Sequence, residues 1–214
     1  MRYAAILTSF VGVAAITSPV AAEVTTNPPA GIYVRFIPYG AGGSGVTSSC
    51  TGSPLTSEQN SGPRPTWHSV QAMSFNIEQT LNIGSQSTGA GAGRVTFNPL
   101  AIVMAPSSLD ATFSGYAASG TPLCELDLMV VTSQGPAQLF KMNLAAVKTM
   151  GWTTDANKNL TTTCTFEYGG LTVVNQAYTA GGAVGKATGR GWNRVNNTAV
   201  TPSASDLALR QMMQ

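Results

Sequence analysis

Along most of this chain apolar and polar side chains alternate with the two-residue period of strands that bury one face. From Val70 to Gln79, Met73, Phe75 and Ile77 fall on one side and Ser74, Asn76 and Glu78 on the other. Three later segments repeat the pattern. Cys124, Leu126, Leu128 and Val130 alternate with Glu125 and Asp127, Phe140, Met142 and Leu144 with Lys141 and Asn143, and Cys164, Phe166 and Tyr168 with Thr163, Thr165 and Glu167. An earlier run, Gly31 to Tyr39, is rich in β-branched and aromatic residues and is stopped by Pro38, while Arg94 to Met104 is a strand broken at Pro99. Helical spacing is evident at Leu109, Phe113 and Tyr116, opened by Ser107 to Asp110 and closed by Gly120. One buried face per strand predicts a mainly β fold, a two-sheet antiparallel β-barrel or sandwich with one short α-helix. It also predicts that Glu125 and Asp127 face solvent.

Between these elements the chain is rich in Gly, Ser, Thr and Pro. Residues 40–66 predict a long loop, the glycines at 84, 89, 91 and 93 a flexible turn, and residues 179–214 a Gly- and Ala-rich extension. Within that extension Ser205 to Met213 predicts a brief helix with Leu209 and Met213 on one side. At the other end Arg2, the apolar run Ala4 to Ile16 and the small residues before Glu23 read as an export signal over residues 1–22, cut after Ala22. The apolar run is shorter than the ~20 residues of a spanning helix. A single β domain is expected over residues 23–178, in a protein that is secreted or periplasmic and free of the membrane after cleavage.

Charge narrows the possible partners. Only 9% of residues are charged, the net charge is +2 and the arginines are scattered, so nothing marks a nucleic-acid surface. Weakly charged surfaces on regular strands suit a chain that associates with copies of itself. The three cysteines, Cys50, Cys124 and Cys164, would enter an oxidising compartment. Cys124 and Cys164 share strand phase with core residues, which leaves two readings: a Cys124–Cys164 disulfide or two buried thiols.

Candidate chemistry is sparse. Gly40-Ala41-Gly42-Gly43-Ser44-Gly45 has the dinucleotide-binding spacing, but Val46 to Pro54 is a poor helix and no βαβ pattern surrounds it. Around Gly185-Lys186 a phosphate-loop spacing fails, because Ala180 and Ala187 replace the first glycine and the metal-binding hydroxyl. His68 is the single histidine, beside Trp67 at a strand entrance, and reads as a surface or strand-edge residue. No catalytic residue, cofactor site or metal site is assigned.

The order of elements resembles the haemolysin-coregulated proteins, which form the inner tube of type VI secretion systems. Ser74-Phe75 is similar to that family's Ser-Phe-Ser strand, Gly93-Arg94-Val95 to its glycine-led third strand, Ser107 to Gly120 to its helix, and Cys164-Thr165-Phe166-Glu167-Tyr168 to its closing strand. The resemblance covers roughly Gly31 to Gln176. It implies a non-enzymatic subunit with one helix on its side that assembles with itself into hexameric rings, which stack into tubes or filaments. By position, the loop that contacts the next ring is 40–66, with Gly40, Gly42, Gly43, Gly45 and Cys50. Two other classes remain: a carbohydrate- or surface-binding β module using Trp67, Trp152 and Trp192 as stacking platforms, and a hydrolase.

Overall fold

The computed structural model describes residues 29–40, 50–58, 65–79, 95–154 and 157–213. The export signal, Gly42, Gly43, Gly45 and the glycine turn lie outside the described residues. The elements in chain order are β1 (Gly31–Pro38), β2 (His68–Val70), β3 (Ala72–Ser74), β4 (Ile77–Gln79), β5 (Val95–Phe97), β6 (Leu100–Met104), α1 (Leu109–Ser119), β7 (Leu123–Thr132), β8 (Gly135–Thr154), β9 (Leu160–Tyr178), β10 (Val184–Asn193), β11 (Thr198–Val200) and α2 (Leu209–Met212). Pro99 divides β5 from β6, and Gly120, at φ +68°, ends α1 in the left-handed conformation that glycine adopts without strain.

All pairings are antiparallel, and the main sheet runs β11-β10-β9-β8-β7-β1-β2. This sheet forks at β9. Thr162 to Phe166 pair with β6, which in turn carries β3, whereas Gly170 to Tyr178 pair with β10. The two-sheet antiparallel architecture is therefore present as a sandwich, and its layers do not close into a barrel. The run 70–79, read from sequence as one strand, is divided among three: Val70 ends β2 on β1, Ala72 to Ser74 pair with β6 and Ile77 to Gln79 with β5, and a bond from the Gln71 N–H to the Val103 carbonyl (2.8 Å) spans the first change of partner.

Between the layers lies the main core, in which Phe36 meets Phe113 edge-on at 4.7 Å and Leu126, Leu128, Met142, Cys164 and Phe166 are fully enclosed. The alternation predicted this face well, with two exceptions. Ile77, in phase with Met73 and Phe75, is exposed. Leu144 takes φ +51° and drops out of phase, so Ala145 enters the core beside Met142. A second core covers the opposite face of β1, β7 and β8, where Tyr33, Trp67, Met129, Val131, Leu139 and Val174 pack against Leu209 and Met213. The terminal helix appears as α2, and it encloses a sheet face that alternation assigns to solvent.

Candidate functional site

The early loop is fastened to the end of β1. A Cβ at Gly52 would lie 2.2 Å from the Pro38 carbonyl oxygen and one at Gly40 2.1 Å from the Thr51 hydroxyl, so only glycines let residues 50–52 lie this close. The Leu55 N–H donates to the Phe36 carbonyl (2.9 Å), and the Glu58 carboxylate accepts the Ser108 N–H (2.8 Å) at the start of α1. His68 is buried, not at the surface: Nε2 donates to the Leu55 carbonyl (3.1 Å), and Nδ1, 3.2 Å from the Ser57 hydroxyl, accepts from it. Burial holds the imidazole pKa below its ordinary value and so favours this neutral form.

The disulfide joins Cys50 to Cys124, and Cys164 is a buried free thiol. This corrects the Cys124–Cys164 pairing. Cys124 lies on β7 and Cys164 on β9, with β8 between them, which separates them laterally by about 10 Å. Their registers differ as well: Cys164 faces Met150 on β8, whereas Leu123 faces Ala145. A disulfide requires Cα atoms within about 7 Å. Burial first, then the Asp110 carboxylate, pushes the Cys164 thiol up to about 12, which leaves it unreactive.

Glu125 and Asp127, expected on the solvent face, are buried. They belong to a charge cluster that the C-terminal segment covers. Arg35 on β1 pairs with Asp127 on β7 and lies 3.9 Å from Glu125, while Lys141 on β8 reaches Glu125 (2.6 Å) and Asp206 (3.0 Å). The guanidinium of Arg35 stacks over Trp67, whose indole N–H donates to the Met212 carbonyl (3.1 Å). Asp206 is fixed in turn by the Ser203 N–H (2.8 Å). Sequence reading missed Arg35, Lys141 and Asp206 as partners; the available signal was their opposite charge in the polar phase of strands that prove to be neighbours.

Three carboxylates face two cations here. Burial and then the Asp127 charge raise Glu125 to about 7, while at Lys141 burial is the largest single influence and is outweighed by Glu125, Asp127 and Asp206 together, which raise it to about 12. Because the folded-state pKa of Glu125 exceeds its unfolded value, its contribution is complete below about pH 4.5 and is lost as pH rises through about 7. Glu125→Gln is therefore expected to gain on the wild type by on the order of 2–3 kcal/mol between those limits and to hold that gain above them. Urea unfolding at a series of pH values checks this, and parallel curves would reject it.

A cleft of about 830 Å³ opens where the sheet forks. Leu171 and Val173 lie along it, Ile77, Val95 and Phe97 line one side, and Arg190, Trp192 and Arg194 the other. Arg194 occupies the fork itself, with its N–H on the Gly169 carbonyl (2.8 Å), its guanidinium on the Tyr168 carbonyl (2.6 Å) and its charge over the rings of Tyr168 and Phe97. The three tryptophans differ in setting. Trp67 is 1% exposed and cannot serve as a stacking platform, whereas Trp152 is 50% and Trp192 36% exposed. Residues 181–188 form a turn and the start of β10, with no helix to make a phosphate loop. Among the described residues, no three His, Cys, Asp or Glu side chains converge as a metal site.

The family model described as "Type VI secretion system effector, Hcp" matches residues 55–174, more than half of the chain. Among solved structures, a type six secretion system protein has a TM-score of 0.64 at 15% identity, the match covering 80% of this chain and 100% of that one. Hcp1 from Salmonella typhimurium has a TM-score of 0.56 at 12% identity, covering 82% of this chain and 100% of that one. A type VI secretion system effector from Yersinia pestis has a TM-score of 0.54 at 7% identity, with 76% and 98% covered. At such identities the structural likeness speaks for the fold. No curated protein sequence matches the chain.

Proposed function

We propose, from the premise that this chain belongs to the Hcp family of type VI secretion system effectors, that it is an exported structural subunit which assembles with itself into hexameric rings. The rings stack into tubes or filaments, and the subunit carries out no catalysis. The observation that carries this reading is the family match together with the forked sandwich, whose apolar interior reaches the surface between Val95 and Trp192. Exposed apolar seams on regular β proteins mark surfaces that another chain covers. Export through the segment 1–22 places the mature chain outside the cytoplasm, and the Cys50–Cys124 bond supports that placement, since such bonds persist in oxidising compartments. The loop 40–66, with Gly40 and Cys50 fixed at its base, is assigned the contact between successive rings.

Mass photometry of residues 23–214 at micromolar concentration tests the assembly directly. Six-subunit particles or their multiples are expected. A single species at the monomer mass would defeat the proposal.

A further inference from the structure

The C-terminal segment 203–213 lies across the outer face of β1, β7 and β8, over a set of charges that do not cancel. Five charged side chains meet there: Arg35 from β1, Glu125 and Asp127 from β7, Lys141 from β8 and Asp206 from the segment itself. Arg210, the other charged residue of the segment, turns instead to the Gln134 carbonyl (3.3 Å) and the Tyr178 ring. With every group ionised the set carries one negative charge in excess, at a place where both β7 carboxylates are buried. An uncompensated buried charge is costly.

One atom shows how the excess is removed. Asp127 Oδ2 accepts from Nε and Nη2 of Arg35, but Asp127 Oδ1 is buried without a hydrogen-bond partner. Glu125 is placed to supply one. It stands two residues back on β7, in the same phase, 3.9 Å from the same guanidinium nitrogen and within hydrogen-bond reach of the Asp127 carboxylate. An ionised carboxylate can only accept, whereas a protonated carboxyl donates. With a proton on Glu125 the orphan oxygen is satisfied and the charges of the five groups sum to zero. Its other oxygen still accepts from Lys141 (2.6 Å), which also keeps Asp206 (3.0 Å).

We infer that Glu125 and Asp127 share one proton beneath the segment 203–213, Glu125 donating to Asp127 Oδ1, and that loss of this proton lifts the segment off the sheet. The segment is the part that yields. Strand β7 is laddered on both sides, to β1 and to β8, whereas the segment is held by Asp206 on Lys141, by the Met212 carbonyl on the Trp67 indole and by the Leu209 and Met213 side chains. Lifting it brings water to the extra charge at less cost than opening the ladder. A charged Glu125 also competes with Asp206 for Lys141, the ammonium that both touch. Because burial and then Asp127 raise Glu125 to about 7, above its unfolded value, the segment is seated in acid and released as pH rises through about 7. Release uncovers the apolar face of Tyr33, Met129, Val131 and Val174, so proton concentration decides whether that face is open. The device is complete within one copy of the chain.

Hydrogen exchange of the full chain reads the segment through the Leu207, Ala208, Gln211, Met212 and Met213 amides, which are hydrogen-bonded when it is seated. Their protection factors should fall roughly 30-fold between about pH 5.5 and about pH 8.5, the ratio for one proton held at about 7 in the seated state and at an ordinary glutamate value in the open one. Amides of the β8–β9 ladder should keep theirs. Glu125→Gln places on Asp127 a donor that no pH removes, and should hold the segment's protection high and flat across the range. Infrared spectra of the wild type report the proton itself, as a carboxylic-acid C=O band that persists at about pH 6, above the ordinary carboxylate range, and disappears near pH 7. Absence of that band at about pH 6 overturns the shared proton. A band that titrates as expected, while the segment's protection stays constant, falls together with that of the ladder or falls equally in Glu125→Gln, overturns the release.

Discussion

Asp127→Ala is expected to destabilise the fold by about 3–5 kcal/mol, because it leaves the half-enclosed guanidinium of Arg35 without its close partner. Arg35 places both Nε (3.0 Å) and Nη2 on Asp127 Oδ2, and the Asp127 side chain is fully buried. The remaining carboxylate, Glu125, stands 3.9 Å away and is already engaged by Lys141 at 2.6 Å. Removal of Asp127 also lifts one of the influences that keep Glu125 near its neutral form, so a newly charged Glu125 recovers part of the loss. The lower end of the range is accordingly the better figure. Arg35→Met combined with Asp127→Leu should cost far less than either change alone, since an apolar pair leaves no uncompensated charge. Urea unfolding of the two single variants and the double variant measures the coupling. Single changes below about 1 kcal/mol would mean that solvent already screens the pair.

The consequence extends to the C-terminal segment. Arg35 lies over Trp67, Trp67 donates to the Met212 carbonyl, and Lys141 holds Asp206, so the cluster ties residues 203–213 to the outer face of β1, β7 and β8. The family match ends at residue 174, before this segment begins. The segment thus covers this sheet face as a strap, anchored by Leu209 and Met213 in apolar contact and by Asp206 through charge.

This strap also explains where the sequence was legible and where it was not. Period-two alternation identified the inner face correctly at Leu126, Leu128, Met142, Cys164 and Phe166, because those positions face the main core whatever the tail does. The same rule sent Glu125 and Asp127 to solvent, since alternation reports one buried face and says nothing of a distant segment that buries the other. In β7 the opposite phase is buried too, at Met129 and Val131 as well as at the two carboxylates. The apolar residues of the tail, Leu207 and the Leu209 and Met213 side of the expected helix, were the clue that a second face needed covering. His68 was misplaced for the same reason: Leu55 and Ser57 reach it from a loop whose composition gives no sign of docking. The helix at Leu109 to Ser119 and the break at Pro99 were legible because caps and proline act locally. The cysteine pairing was not, because side-chain phase gives a face but neither strand order nor register.

Replacing both Cys50 and Cys124 by alanine is expected to remove about 4 kcal/mol in the chain-entropy account of disulfides, given their sequence separation of 74. Reduction of the wild type should produce the same loss, and Cys164→Ala should leave this difference unchanged, because that thiol is buried and unpaired. The bond does more than shorten the unfolded chain. It fixes the start of a segment whose described residues make these later contacts: the Leu55 N–H on the Phe36 carbonyl, the Leu55 side chain on the main core, Leu55 and Ser57 on His68, and Glu58 on the N-terminus of α1. With the bond cut, the Leu55 amide should exchange with solvent well before the Leu126 and Leu128 amides, which belong to the central ladder between β1 and β8. Hydrogen exchange of the oxidised and reduced proteins reads this directly, and equal protection of Leu55 in both would show that the segment holds itself in place. On the proposed role of the loop 40–66, the reduced protein keeps single rings and loses their stacks.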